Sequence, residues 1–212
     1  RLKTVVLTVS YFTLEEELGP KSEPWRCWSY RDAWGIDAPS TLKPWNPQRW
    51  SRALRLGNWR SFVQASHGFP PLPDLVPIGS DGWGEAPEPH PSRKQDSSWA
   101  RERIAQWKSS MDPTSRPTQI RRLANILEMA RSAHLKVVLV TTPVLEPLRR
   151  LESASVRDGN RRVVDSLAKS YAAMRLDLED DPSFTETDFV DMDHLGPEAA
   201  RRLSERVRNA AN

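Results

Sequence analysis

Apolar positions in the second half of the chain alternate between two periods. In 120–130 they recur every three or four residues, which is typical of an amphipathic helix. The run LKVVLV at 135–140 is short and apolar throughout, as in a buried strand. A second amphipathic stretch covers 163–171, an alternating strand follows at 174–178, and a last helix begins near Pro197. The pattern predicts helix, strand, helix, strand, loop and helix.

Another strand is predicted close to the start of the chain. Residues 5–9 form a β-branched apolar run that ends at Ser10, and we expect this strand to be buried on both faces. A helix over about 98–107 precedes the alternating elements. Strands that alternate with helices imply parallel pairing through right-handed crossovers. The predicted fold class is therefore α/β, a doubly wound parallel sheet flanked by helices.

The region 20–96 breaks this order. It is rich in Trp and Pro, and six of the nine tryptophans lie between Trp25 and Trp59. We interpret it as an irregular insertion within a single domain spanning 1–212, a length that suits one α/β domain. Its tryptophans either form a satellite core or provide flat rings that stack on sugars.

Composition and charge exclude several classes of partner. The net charge of +3 is the difference between 31 basic and 28 acidic residues, and the cations are scattered rather than gathered into the stripe that nucleic-acid binding requires. No apolar run approaches the length of a membrane span. The single cysteine, Cys27, cannot form an internal disulfide, which leaves the compartment open.

Candidate chemistry lies in the loop between the last strand and the last helix. Ligands of doubly wound sheets bind beyond the carboxyl ends of the strands, and this loop contains Asp191 and His194. A carboxylate three residues before a histidine can accept the Nδ1 proton, which leaves Nε2 free to take a proton from a nucleophile. Asp191 is the predicted orienting acid and His194 the predicted base, with Asp193 pointing elsewhere.

Two other interpretations of the loop stay open. It is either a solvated acidic segment that caps a helix, or a phosphate or metal site formed by Asp188, Asp191 and Asp193. His134, at the end of an amphipathic helix, is interpreted as structural, because a cation is favourable near the last carbonyls. The other histidines, His67, His90 and His134, lack ligand spacing with Cys or Asp, so neither a zinc site nor a cofactor is predicted.

Several segments resemble one enzyme superfamily. DFVDMDHLGPEAARRLSERV resembles the final block of the SGNH/GDSL hydrolases, and KTVVLTVSYF, NILEMARSAHLKVVLVTTPV and LDLEDDPSF resemble a branch related to alginate-type O-acetylation proteins. The resemblance covers 1–20 and roughly 118–212. It implies a serine that attacks an ester, with His194 as general base and Asp191 as its orienting partner. It also implies a place in the cell envelope or periplasm.

The chain departs from the family at the nucleophile. The family's serine lies in a Gly-x-Ser-type turn after the first strand, and neither that turn nor a Gly-x-Asn-Asp block is found here. The first strand and its turn are therefore expected upstream of Arg1, so that the chain is truncated at its amino end. Ser10, which ends a strand, and Ser80, in a Gly-rich turn, are the in-chain alternatives.

The expected function follows from the resemblance. It is an ester hydrolase or O-acyltransferase that acts on an acylated saccharide or a similar polar alcohol, using Asp191 and His194. The alternative is an inactive SGNH fold that serves as a carbohydrate-binding or assembly module through its Trp-rich region.

Overall fold

The computed structural model describes residues 2–16 and 97–211. The Trp/Pro-rich insertion, with Cys27 and Ser80, lies outside these residues. The described strands are β1 (Thr4–Thr8), β2 (Lys136–Thr141) and β3 (Met174–Asp177). The described helices are α1 (Ser97–Ser110), α2 (Arg116–Ser132), α3 (Glu146–Arg149), α4 (Ala154–Ser170) and α5 (Pro197–Ala211), with 3₁₀ turns at Pro113–Ser115 and Glu186–Asp188.

The three strands form one parallel sheet in the order β1-β2-β3. Val6 is paired with Val138, and Val140 with Leu176. The prediction of an α/β fold with a parallel sheet flanked by helices is confirmed, and the architecture is compatible with a Rossmann-like fold. None of the described helices is long and apolar enough to cross a membrane.

Helices pack on both faces of the sheet, and successive side chains of β2 point alternately toward one face and the other. Val137 and Leu139 pack into a core that includes Leu127 of α2 and Val164 of α4. A second core joins residues of α1, α5 and the loops after the strands, among them Ile104, Trp107, Leu145, Met192 and Ala199. The loop that carries Asp191 and His194 therefore contributes to the second core.

The prediction that the first strand is buried on both faces is wrong. Only Val9 of the run 5–9 is buried, and Val6 is 48% exposed although its partner Val138 is 1% exposed. β1 is an edge strand in the described part of the sheet, and α5 packs over β2 and β3. An apolar β-branched run predicts a strand, but it does not show whether a helix covers each face.

The end of α2 explains the role of His134. The residue follows the helix with φ 55°, and its backbone N–H donates to the carbonyl of Arg131 at 3.0 Å. This is the left-handed residue that commonly ends a helix, and its side chain is exposed. His134 lies two residues before the start of β2, so it is at the amino end of the sheet and not at the end where Asp191 and His194 lie.

Candidate active site

The loop between β3 and α5 is fixed at several points. Phe189 and Leu195 form an antiparallel bridge, and the N–H of Val190 donates to the carbonyl of His194 at 2.8 Å. Met192 is 0% exposed, and its carbonyl accepts the N–H of Leu145 at 2.9 Å. Leu145 lies a few residues after β2, so this contact places the loop at the carboxyl end of the sheet.

Asp191 and His194 form a hydrogen-bonded pair. Nδ1 of His194 lies 3.0 Å from Oδ1 and 2.9 Å from Oδ2 of Asp191. Oδ1 also accepts the backbone N–H groups of Asp193, at 3.1 Å, and of His194, at 2.9 Å. The same carboxylate therefore shapes the turn and holds the ring, as the spacing of three residues predicts.

Electrostatics favour an ionised acid next to a basic imidazole. Burial would raise the pKa of Asp191, but the ring of His194 and the two backbone N–H groups lower this pKa to about 2. The hydrogen bond to Asp191 raises the pKa of His194 above its ordinary value against a smaller effect of burial. The side chain of His194 is 62% exposed, and no described residue bonds its Nε2. A proton acceptor on this loop therefore faces solvent.

Asp193 contacts helix α1 through one carboxylate oxygen and lies close to His194 with the other, so it is not separated from the pair as expected. Its Oδ2 accepts Nε of Arg103 at 3.0 Å and Nη2 of Arg103 at 2.7 Å. Its Oδ1 is buried without a hydrogen-bond partner in the described structure and lies 3.5 Å from Nδ1 of His194. Arg103 was not predicted as part of the site, since it is 90 residues away in the sequence.

Of the three acidic residues in the phosphate or metal alternative, Asp191 and Asp193 lie close together, whereas Asp188 is not part of their cluster in the described structure. Asp188 forms an ion pair with Arg202 of α5 at 2.7 Å and closes a capping box with Thr185. Potential ligand atoms of Asp191, Asp193 and His194 do lie within 4.8 Å of one another. However, Nδ1 is bonded to Asp191, and Asp193 is neutralised by an arginine. This arrangement suits an oriented imidazole better than a set of metal ligands.

Ser10 lies two residues after β1, at the carboxyl end of that strand. It is half-buried, its hydroxyl forms a 2.8 Å hydrogen bond with that of Thr13, and its backbone N–H donates to the same Thr13 oxygen. It lines a cavity of about 20 Å³ whose other polar walls include Asn160 and Glu179. No described contact joins Ser10 to His194. Ser80, the other in-chain candidate, lies outside the described residues.

A second group of ionisable residues, which contains Glu152 and Glu179, is buried near the carboxyl end of β3. Glu152 and Glu179 are 7% and 3% exposed, and neither oxygen of Glu152 has a hydrogen-bond partner in the described structure. Burial, followed by the charge of Glu179, raises the pKa of Glu152 to about 8. Glu179 accepts Nη2 of Arg161 at 2.7 Å and lines a cavity of about 400 Å³ together with Phe184. The sequence gives no sign of this pair, because both residues are ordinary glutamates flanking helices and strands.

Comparison with known proteins identifies no relative. No protein-family model matches the chain, and no curated protein or solved structure matches it either. The resemblance to the SGNH/GDSL hydrolases therefore stays a prediction from the sequence.

Proposed function

We propose that the chain supplies the acid and base of an SGNH-type ester hydrolase or O-acyltransferase that acts on an acylated saccharide or a similar polar alcohol. The observation that carries this proposal is the hydrogen bond between Asp191 and Nδ1 of His194 on an exposed loop at the carboxyl end of a parallel sheet. In the same proposal, the serine nucleophile is supplied from upstream of Arg1.

The proposed chemistry uses both ring nitrogens. Nε2 of His194 takes the proton of the serine hydroxyl while the serine oxygen attacks the acyl carbonyl. Asp191 holds the tautomer and stabilises the imidazolium that forms. The imidazolium then gives its proton to the departing alkoxide, which leaves an acyl-enzyme. A second alcohol attacks the acyl-enzyme in transfer, or water attacks it in hydrolysis, while His194 removes the proton of the attacking oxygen. The bond between the acyl group and the serine oxygen then breaks, and the imidazolium returns its proton to that oxygen.

The electrostatics of the pair agree with this role. A base must be neutral to accept a proton, and Asp191 raises the pKa of His194. Turnover should therefore increase with pH as the ring loses its proton. The depressed pKa of Asp191, about 2, keeps the orienting carboxylate ionised throughout that range.

The test is ester turnover by the full-length protein and its His194→Ala and Asp191→Asn variants. The substrates are an acetylated saccharide and a p-nitrophenyl acetate reporter. Loss of the general base should lower kcat by roughly 10²–10⁴-fold. His134→Asn is the matched control, since it removes an exposed histidine from the opposite end of the sheet, and Asn tolerates the left-handed backbone at that position. Unchanged turnover by His194→Ala would contradict the proposal.

The second candidate, an inactive carbohydrate-binding module, is favoured by one observation. Within residues 2–16 and 97–211, no serine hydroxyl is bonded to the imidazole of His194. If this candidate is correct, the intact protein binds polysaccharide, the His194→Ala variant binds it equally well, and neither protein releases acetate. Acetate release by the intact protein would exclude it.

A further inference from the structure

We propose that Arg103 is a positioning residue, which holds the carboxylate of Asp193 away from His194 so that Asp191 alone accepts the Nδ1 proton. The inference deepens the proposed function, and its catalytic significance rests on that function. It assigns a role at the site to helix α1, which lies far from the Asp-x-x-His segment in the sequence.

Arg103 is fixed on several sides. Two of its nitrogens, Nε and Nη2, bond the same oxygen of Asp193, and Nη1 donates to Oε1 of Gln106 at 3.0 Å. The guanidinium lies 5.7 Å from the ring centroid of Trp107, which is itself 7% exposed. The side chains of Arg103 and Asp193 are 23% and 11% exposed. The Coulomb attraction between two charges so shielded from water is larger than that between two exposed charges.

Asp193 is a potential competitor for the ring proton. Its Oδ1 lies 3.5 Å from Nδ1, against 2.9 and 3.0 Å for the oxygens of Asp191, and Oδ1 has no hydrogen-bond partner in the described structure. A modest rotation of an unrestrained Asp193 side chain would therefore bring it to the imidazole. The two hydrogen bonds from Arg103 oppose that rotation.

The competition matters because it would change the proton affinity of the base. The charged groups that act on the ring are Asp191 and Asp193 from its own loop and Arg103 from α1. Both carboxylates raise the pKa of His194, and Arg103 lowers it. Without the arginine, a second uncompensated carboxylate would stabilise the imidazolium. A base that stays protonated at neutral pH cannot accept a proton from a nucleophile.

The test is an NMR titration of His194 in the 212-residue chain, which needs no turnover. The signal is assigned by its loss in His194→Ala. Arg103→Met keeps an unbranched chain against Trp107 but removes the charge, and we expect it to shift the titration midpoint of His194 upward. Arg103→Lys should return the midpoint toward the wild-type value. The double variant R103M/D193N should do the same, because it removes the competing carboxylate with its cation.

The outcomes separate this inference from the proposed function. An unchanged or lower midpoint in Arg103→Met, with backbone amide spectra that show an intact fold, would overturn the inference. An upward shift that the D193N change fails to reverse would also overturn it, because the effect would then not pass through Asp193. If the full-length protein proves to have no esterase activity, the midpoints still decide the role of Arg103. If it is active, the acid limb of its pH–rate profile should move with the midpoint.

Discussion

The carboxyl groups of Glu152 and Glu179 lie beside each other in the interior, and in the described structure Glu179 has the closer cation. Arg161 bonds Glu179 at 2.7 Å, whereas Nη1 of Arg157 lies 3.9 Å from Oε2 of Glu152. Glu152 is therefore the member of the pair that holds a proton at neutral pH, in line with its pKa of about 8. At neutral pH the folded protein therefore holds a proton on Glu152 that the unfolded chain releases.

The Glu152→Gln variant should be more stable than the parent chain at neutral pH. The folded-state pKa lies above the ordinary 4.5, so the parent loses stability as the pH rises from about 4.5 to about 8. Glutamine has no proton to lose, and the difference between the proteins should grow by up to about 3 kcal/mol between pH 4.5 and pH 7. Urea unfolding at several pH values measures it. Glu102→Gln, at an exposed position of α1, is the control. A difference that is constant across this range would refute the prediction.

The Asp191→Asn variant should lower the titration midpoint of His194. The hydrogen bond from the ring to Asp191 is the largest cause of the raised pKa of His194, and an amide stabilises the imidazolium less than a carboxylate does. NMR titration of the ring measures the midpoint. Asp165→Asn, which changes a 63% exposed carboxylate on α4, should leave it in place. If Asp191→Asn also leaves it in place, Asp191 is not the partner that orients the ring.

The 212-residue chain should resist labelling by a serine-directed fluorophosphonate. Ser10 has its hydroxyl bonded to Thr13 and no described contact with His194, and the proposed nucleophile belongs to an upstream segment. Mass spectrometry of the treated chain detects any adduct. A known serine esterase treated in parallel confirms that the reagent is active. Stoichiometric labelling of Ser10 that disappears in His194→Ala would identify Ser10 as the nucleophile and end the proposal of an upstream serine.

The Met192→Ala variant should destabilise the protein and loosen the loop that carries the candidate pair. Met192 lies between Asp191 and Asp193 and is 0% exposed in the second core. Loss of a fully buried methionine costs about 2–5 kcal/mol, whereas Met192→Leu keeps most of the volume and should cost less than about 1.5 kcal/mol. Urea unfolding measures both. Met129→Ala, at a 71% exposed position on α2, is the matched control. Equal effects at the two methionines would show that the loop is not anchored through Met192.

The elements of the described fold were largely predictable, because their signals are local. The apolar run at 135–140 and the amphipathic stretch at 120–130 correspond to β2 and α2 within a few residues. The four-residue helix α3 is too short for a period to emerge. The exposure of Val6 was missed for a different reason, since burial depends on what packs over a strand and not on the strand itself.

In the candidate site too, contacts between residues close in sequence were predictable, and contacts between distant segments were not. Asp191 and His194 are three residues apart, so their contact follows from a turn and could be predicted from spacing. The ion pair of Arg103 with Asp193 joins segments 90 residues apart, and the pairing of Glu152 with Glu179 depends on two separate loops. No periodicity or motif encodes such contacts, because they arise only when the helices pack on the sheet.

The bridge between Phe189 and Leu195 has a consequence for how the proposed site would admit a ligand. The two ends of the segment 189–195 are joined to each other, and its middle is anchored by the buried Met192. A segment restrained in this way resists hinge motion, so the imidazole is presented with its orientation already set. Any closure over a bound ester would then have to come from another part of the protein, while this loop acts as a stationary support.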